Sequence, residues 1–211
     1  MRLTMQMPSR FYAMVDPSGG HDPVELAELM LAAGARILQV RLKGTPGREF
    51  LLAARAIAPR CRARGAVFIV NDRVDIAILA EADGVHLGQT DLPLAAAREI
   101  IGAKKIIGIS THDTAMARAA EAGGADYIGF GPMYPGGLKN TAAGQGLANL
   151  RVIRAAVRIP IVAIGGITET SMPEVLAAGA DAAAIITDVV KAPDIPAKVR
   201  ALLAISPRSG N

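Results

Sequence analysis

Gly124-Ala125-Asp126-Tyr127-Ile128-Gly129-Phe130 reads as the end of one helix followed at once by a complete strand. Glycine or aspartate suits the left-handed turn that stops a helix, the small alanine lets helix and strand approach closely, and a short β-prone run follows. The phrase recurs as Ala33-Gly34-Ala35-Arg36, Ala82-Asp83-Gly84-Val85 and Gly179-Ala180-Asp181-Ala182. Outward from these, short apolar runs alternate with helical stretches along the chain, the βαβα order of a parallel sheet. Strands are expected at 11–16, 37–41, 67–71, 84–87, 106–110, 127–130, 161–164 and 182–186. Helix starts are marked by Asp22-Pro23, Thr45-Pro46, Leu92-Pro93 and Met172-Pro173, where proline's missing N–H costs least.

Eight such units in 211 residues, near the lower limit of roughly 200 for a complete eightfold barrel, predict one α/β domain over 1–211, a single (β/α)8 TIM barrel with 206–211 as a frayed tail. An open doubly wound sheet is the alternative, because periodicity alone does not show that strand eight meets strand one. No apolar run approaches the ~18 residues of a membrane span, and residues 1–10 lack the apolar centre of a secretory signal. A cytoplasmic protein without membrane contact is therefore expected. The single cysteine, Cys61, excludes an intrachain disulfide and a cysteine-cluster metal site, and is read as a packed or helix-surface residue. The net charge is +4, and Arg48, Arg55, Arg60, Arg62 and Arg64 form a basic segment. No aromatic residues interleave with them to stack on bases, so they read as a solvated helix face and not as a nucleic-acid site. The excess suits an anionic small-molecule substrate.

Polar residues concentrate at the C-terminal ends of the expected strands, the active face of such a barrel. Gln39, Arg41 and Lys43 alternate with Val40 and Leu42, so a period of two sends the three polar side chains toward the mouth. Asn71-Asp72 ends strand three, and Asp91 follows strand four. Two carboxylates on neighbouring loops suit magnesium, which keeps water and shares substrate phosphates; each aspartate alone could equally cap a loop or helix. His21, His86 and His112 have no zinc spacing and read as packing or loop residues. Strand seven runs into Gly165-Gly166 and strand eight into Ile186-Thr187-Asp188, the loops that commonly bind phosphate in this fold. With the glycine-rich segment 129–139, they point to two anionic groups in one mouth.

In order along the chain, Gln39-Val40-Arg41-Leu42-Lys43, Val70-Asn71-Asp72-Arg73, Asp83-Gly84-Val85-His86-Leu87-Gly88-Gln89 with Asp91, Ser110 with His112, Gly129-Phe130-Gly131-Pro132-Met133-Tyr134-Pro135 and Ile164-Gly165-Gly166-Ile167 resemble the thiamine-phosphate synthase family. That family joins an aminopyrimidine methyl diphosphate to a thiazole phosphate and releases diphosphate by a dissociative route. The resemblance implies that Gln39, Val40, Arg41, Leu42, Lys43 and Asn71 line the pyrimidine diphosphate site, with Ser110 and Lys139 completing it. It further implies magnesium on Asp72 and Asp91, and a thiazole phosphate on Gly166, Ile186 and Thr187. Arg41, Lys43, Ser110 and Lys139 would serve the chemical step.

After Pro135 the family usually has Thr-x-Thr-Lys, whereas this chain reads Gly136-Gly137-Leu138-Lys139. The lysine is kept and both threonines are absent. Restoring threonine at 136 and 138 is expected to return two hydroxyls to the thiazole side, provided that position 136 does not need a positive φ. Two other readings stay open: a thiazole tautomerase on the same barrel, and a catalytically silent barrel that binds a thiamine precursor. The sequence also leaves open whether the chain forms a homo-oligomer.

Overall fold

The computed structural model describes residues 6–136 and 143–205. Its strands are β1 (Phe11–Val15), β2 (Ile37–Val40), β3 (Val67–Asn71), β4 (Gly84–Leu87), β5 (Ile106–Thr111), β6 (Tyr127–Phe130), β7 (Ile161–Ile164) and β8 (Ala182–Ile185). They pair in parallel in chain order, and β1 pairs with β8 as well as with β2. The sheet is therefore closed, which removes the open-sheet alternative. Around it lie α1 (Pro23–Ala32), α2 (Gly47–Ala63), α3 (Val74–Leu79), α4 (Leu94–Ile101), α5 (Thr114–Ala122), α6 (Gly146–Ala156), α7 (Met172–Ala177), α8 (Thr187–Val190) and α9 (Ile195–Ala204). Asp22 caps α1 by accepting the N–H groups of Val24 and Glu25, with Pro23 at the first helical position. Pro46 and Pro93 stand one residue outside their helices. The expected tail at 206–211 lies outside the described residues.

The strands are largely buried on both faces, and their period of two divides the side chains between two cores. Phe11, Ala13, Leu38, Val40, Phe68 and Val85 are among those that face the helices. Tyr12, Met14, Ile37, Ile69, Tyr127 and Val162 fill the barrel. Glycines on neighbouring strands make room for the large inward side chains: a Cβ on Gly108 would stand 2.1 Å from Tyr127 Cζ, and one on Gly129 would stand 3.0 Å from His86 Cε1.

The recurring helix-to-strand phrase has a different anatomy from the expected one. Gly34, Gly124 and Gly179 take the left-handed turn at φ +105°, +84° and +112°, and Glu81 takes it at +55° in the unit that has no glycine at that position. The aspartates do not make the turn. Asp83 accepts the N–H of Phe68, Asp126 that of Ile107 and Asp181 that of Ile161, each at 2.8 Å. Each carboxylate thus ties the start of its own strand to the start of the strand before it, a charge-assisted bond contributing about 1.5–3 kcal/mol where it is sheltered.

Cys61 is buried, as the packed reading expected, and that burial, reinforced by the charge of Asp83 and opposed by Arg64, pushes its thiol up to about 12. No helix among the described residues is long and apolar enough to cross a membrane.

Candidate active site

Among the described residues the buried polar side chains are Asp16, Gln39, Asn71 and Thr111. All four stand at C-terminal strand ends, around one rim. Sealing such groups away without partners is costly, so their partners define what the rim is for.

Gln39 lies on β2 and turns into the barrel, whereas Arg41 and Lys43 follow the strand. Arg41 Nη1 stands 2.5 Å from Asp16 Oδ2. The sequence gives no sign of Asp16, since nothing marks the end of β1 as a partner for a residue 25 positions on. Val40 and Leu42 pack into the outer core, so they can meet a bound molecule only through the backbone. Lys43 Nζ stands 2.7 Å from Asp72 Oδ2 and remains half exposed.

Asp72 has a φ of +64°, a left-handed conformation that aspartate tolerates better than most residues. Its N–H donates to the His86 carbonyl at 2.8 Å, and the turn brings its carboxyl within hydrogen-bonding reach of Asp91. Asp91 Oδ2 in turn accepts the Gly88 N–H at 2.6 Å. Burial holds the Asp91 carboxyl above the usual range, and the adjoining Asp72 pushes it the same way. Two mutually repelling carboxylates beside open solvent form a donor set that suits a hard divalent cation. No cluster of three or more His, Cys, Asp or Glu occurs among the described residues. Further ligands would have to come from water or substrate, as magnesium permits.

His86 packs inside the rim, as the packing reading expected, and both of its ring nitrogens are hydrogen-bonded. Its Nδ1 lies 2.9 Å from Tyr127 Oη and its Nε2 2.9 Å from Ser110 Oγ. Tyr127 Oη is 2.8 Å from Tyr12 Oη, which accepts from Gln39 Nε2 at 2.9 Å. The His86 ring is partly buried, and this burial, opposed by the charge of Asp91 and aided by that of Lys43, lowers its pKa to about 4. The inward direction of His86 was available from the sequence, because Val85 and Leu87 on either side of it face outward. Its partners were not.

Gly165 and Gly166, at φ +97° and +68°, follow β7, and Ile186 and Thr187 follow β8 on the adjacent loop. A Cβ on Gly166 would stand 2.9 Å from Tyr134 Cβ. The N–H groups of Met133 and Tyr134 donate to the carbonyls of Ile164 (2.9 Å) and Gly165 (3.0 Å), so the segment after β6 lies against the loop after β7. From outside, Lys198 Nζ reaches Glu169 at 2.8 Å and Asp188 at 3.4 Å. Asp188 also accepts the Glu169 N–H at 2.9 Å, which braces the two loops together. Gly136 stands at φ +83°, so the proviso on its replacement by threonine is not met. Gly137, Leu138 and Lys139 lie outside the described residues.

Clefts of about 610 and 590 Å³ open elsewhere, lined by residues such as Arg10, Arg158 and Asp181 in one and Arg62, Asp83 and Lys105 in the other. They lie where strands begin, whereas the chemistry of this fold belongs at the strands' C-terminal ends.

A family model described as thiamine monophosphate synthase matches residues 11–189. The chain belongs to the thiamine monophosphate synthase family. Its relatives include thiamine-phosphate synthase of Moorella thermoacetica, 47% identical over 192 residues that cover 90% of this chain and 91% of that one. Thiamine-phosphate synthase of Methanoculleus marisnigri is 49% identical over 184 residues, 87% of each chain. The solved structure of thiamine phosphate pyrophosphorylase from Pyrococcus furiosus matches with a TM-score of 0.84 and 36% identity, covering 92% of this chain and 93% of that one. Thiamine monophosphate synthases are transferases, and the chain is an enzyme of that class.

Proposed function

We propose that the chain joins an aminopyrimidine methyl diphosphate to a thiazole phosphate, giving thiamine phosphate and diphosphate with the assistance of magnesium. The observation that carries this reading is the Asp72 and Asp91 pair beside Lys43 and Arg41 on one rim, with no activated nucleophile among the described residues. Ser110 and His86 come nearest to one, but the other nitrogen of His86 meets a tyrosine and not an orienting carboxylate.

A dissociative reaction needs no nucleophile from the protein. The C–O bond breaks and its electron pair leaves with diphosphate; the aminopyrimidine spreads the positive charge; the thiazole nitrogen lone pair then forms the C–N bond. Asp72 and Asp91 would hold magnesium, which when bound supplies positive charge against the diphosphate. Lys43, Arg41 and Lys139 would favour the leaving group more strongly as its charge grows. Asn71, Gln39 and the Val40 and Leu42 backbone would line the pyrimidine side, with Ser110 on the diphosphate. Gly166, Ile186 and Thr187 would receive the thiazole phosphate on the adjoining loops.

Incubation with both substrates tests the reading. Thiamine phosphate and diphosphate should form in equal amounts. Isomerised thiazole phosphate without diphosphate release would establish the tautomerase, and binding without turnover would establish a silent barrel.

A further inference from the structure

Resting on that reading, we propose that Tyr12, Tyr127 and His86 are positioning residues that polarise one hydrogen-bond chain across the barrel, so that Ser110 faces the substrate as a donor and the Gln39 side-chain carbonyl as an acceptor. The chain runs from β2 through β1, β6 and β4 to β5 without a gap, each link between 2.8 and 2.9 Å. Four of its five members sit on strands other than the one carrying Ser110.

Its direction follows from counting protons. The Gln39 amide nitrogen can only donate, so Tyr12 accepts there and must spend its own proton on Tyr127. Tyr127 then donates to His86 Nδ1, which leaves the neutral ring's proton on Nε2 for Ser110 Oγ. Ser110 has thereby been supplied with a donor, and its own proton is unspent. At the other end, Gln39 Oε1 has no protein partner among the described residues, and it is not sealed from solvent as Arg98 Nε is. A flipped Gln39 would reverse every link and commit the Ser110 proton to His86. Only lone pairs would then face a diphosphate, which is itself acceptor-only.

A structural role gives no reason for the two hydroxyls. Phenylalanine at 12 and 127 would fill the same space without a buried polar atom to satisfy, yet both tyrosines are at most 1% exposed.

The test uses the full chain labelled with ¹⁵N-histidine, with the His86 resonances assigned by their loss in His86→Gln. The expected result is the Nε2–H tautomer for His86. In kinetics, Tyr127→Phe should lower kcat/KM for the pyrimidine diphosphate about five- to tenfold, the equivalent of one net hydrogen bond. In a Ser110→Ala background, the same change should cost less than about twofold, because the group being positioned is gone. The Nδ1–H tautomer in the unmodified chain, or independent effects of the two substitutions, would overturn the proposal. Should Tyr127→Phe fail to fold, the tautomer of the unmodified chain decides alone. Absence of thiamine phosphate formation would instead strike at the assigned reaction, and the spectrum would still report the chain's polarity.

Discussion

Replacing Gly108 by alanine asks whether the barrel interior is built around Tyr127. Gly108 is not a positive-φ glycine, so alanine meets no backbone penalty there and should gain about 0.4–1 kcal/mol by restricting the unfolded chain. Against that gain, the new Cβ would lie 2.1 Å from Tyr127 Cζ and 2.5 Å from its oxygen, separations no side-chain contact sustains. The ring must move, which strains or breaks its bonds to Tyr12 at 2.8 Å and His86 at 2.9 Å. Each bond contributes about 0.5–1.5 kcal/mol, and overpacking a filled core adds about 1–3 kcal/mol. The net loss is about 1–5 kcal/mol, or roughly 2–20 °C in melting temperature for a domain of this size. Thermal and urea unfolding followed by circular dichroism would measure it. Gly108→Ala combined with Tyr127→Leu should recover part of the loss, because the obstructing ring is removed. Stability within about 0.5 kcal/mol of the unmodified chain, or no recovery in the pair, would refute the packing argument.

Gly136→Thr should destabilise the protein by about 1–2 kcal/mol without tightening thiazole phosphate binding, because a β-branched residue is forced into a left-handed backbone; calorimetry and thermal melting check both. The Cys61 thiol should resist a thiol reagent at about pH 8.5 until the protein unfolds. Because its folded pKa of about 12 exceeds the unfolded 9.0, the native state keeps a proton that the unfolded state gives up. Stability therefore falls as pH rises from about 9 toward 12, which unfolding measured across that window would show. Lys198→Met should raise the KM for the thiazole phosphate several-fold while the KM for the pyrimidine diphosphate changes little, since it loosens the brace between the loops after β7 and β8.

The barrel was legible because buried parallel strands leave short apolar runs punctuated by helix stops. The alternation of Gln39, Arg41 and Lys43 with Val40 and Leu42 separates rim from outer core by sequence alone. Partnership was not legible. Tyr12 and Tyr127 lie 115 residues apart, and nothing local to either announces the other. Asp83, Asp126 and Asp181 follow helix stops, where aspartate is also a common turn former, so only the strand register reveals that they bond to a neighbouring strand. Asp16 is hidden in the same way, as an ordinary strand end until the closed barrel sets it against Arg41.

The most direct test of the assigned site is thiamine phosphate formation titrated with magnesium, comparing the unmodified chain with Asp72→Asn and Asp91→Asn. Asparagine tolerates the left-handed backbone at 72 and keeps an acceptor for the Gly88 N–H at 91, so folding should be little changed in either variant. The expected result is no product without metal, a magnesium requirement raised at least about tenfold in both variants, and melting temperatures within about 2–4 °C of the unmodified chain. Identical magnesium curves for all three proteins, or full activity in the absence of metal, would contradict the assignment of these carboxylates.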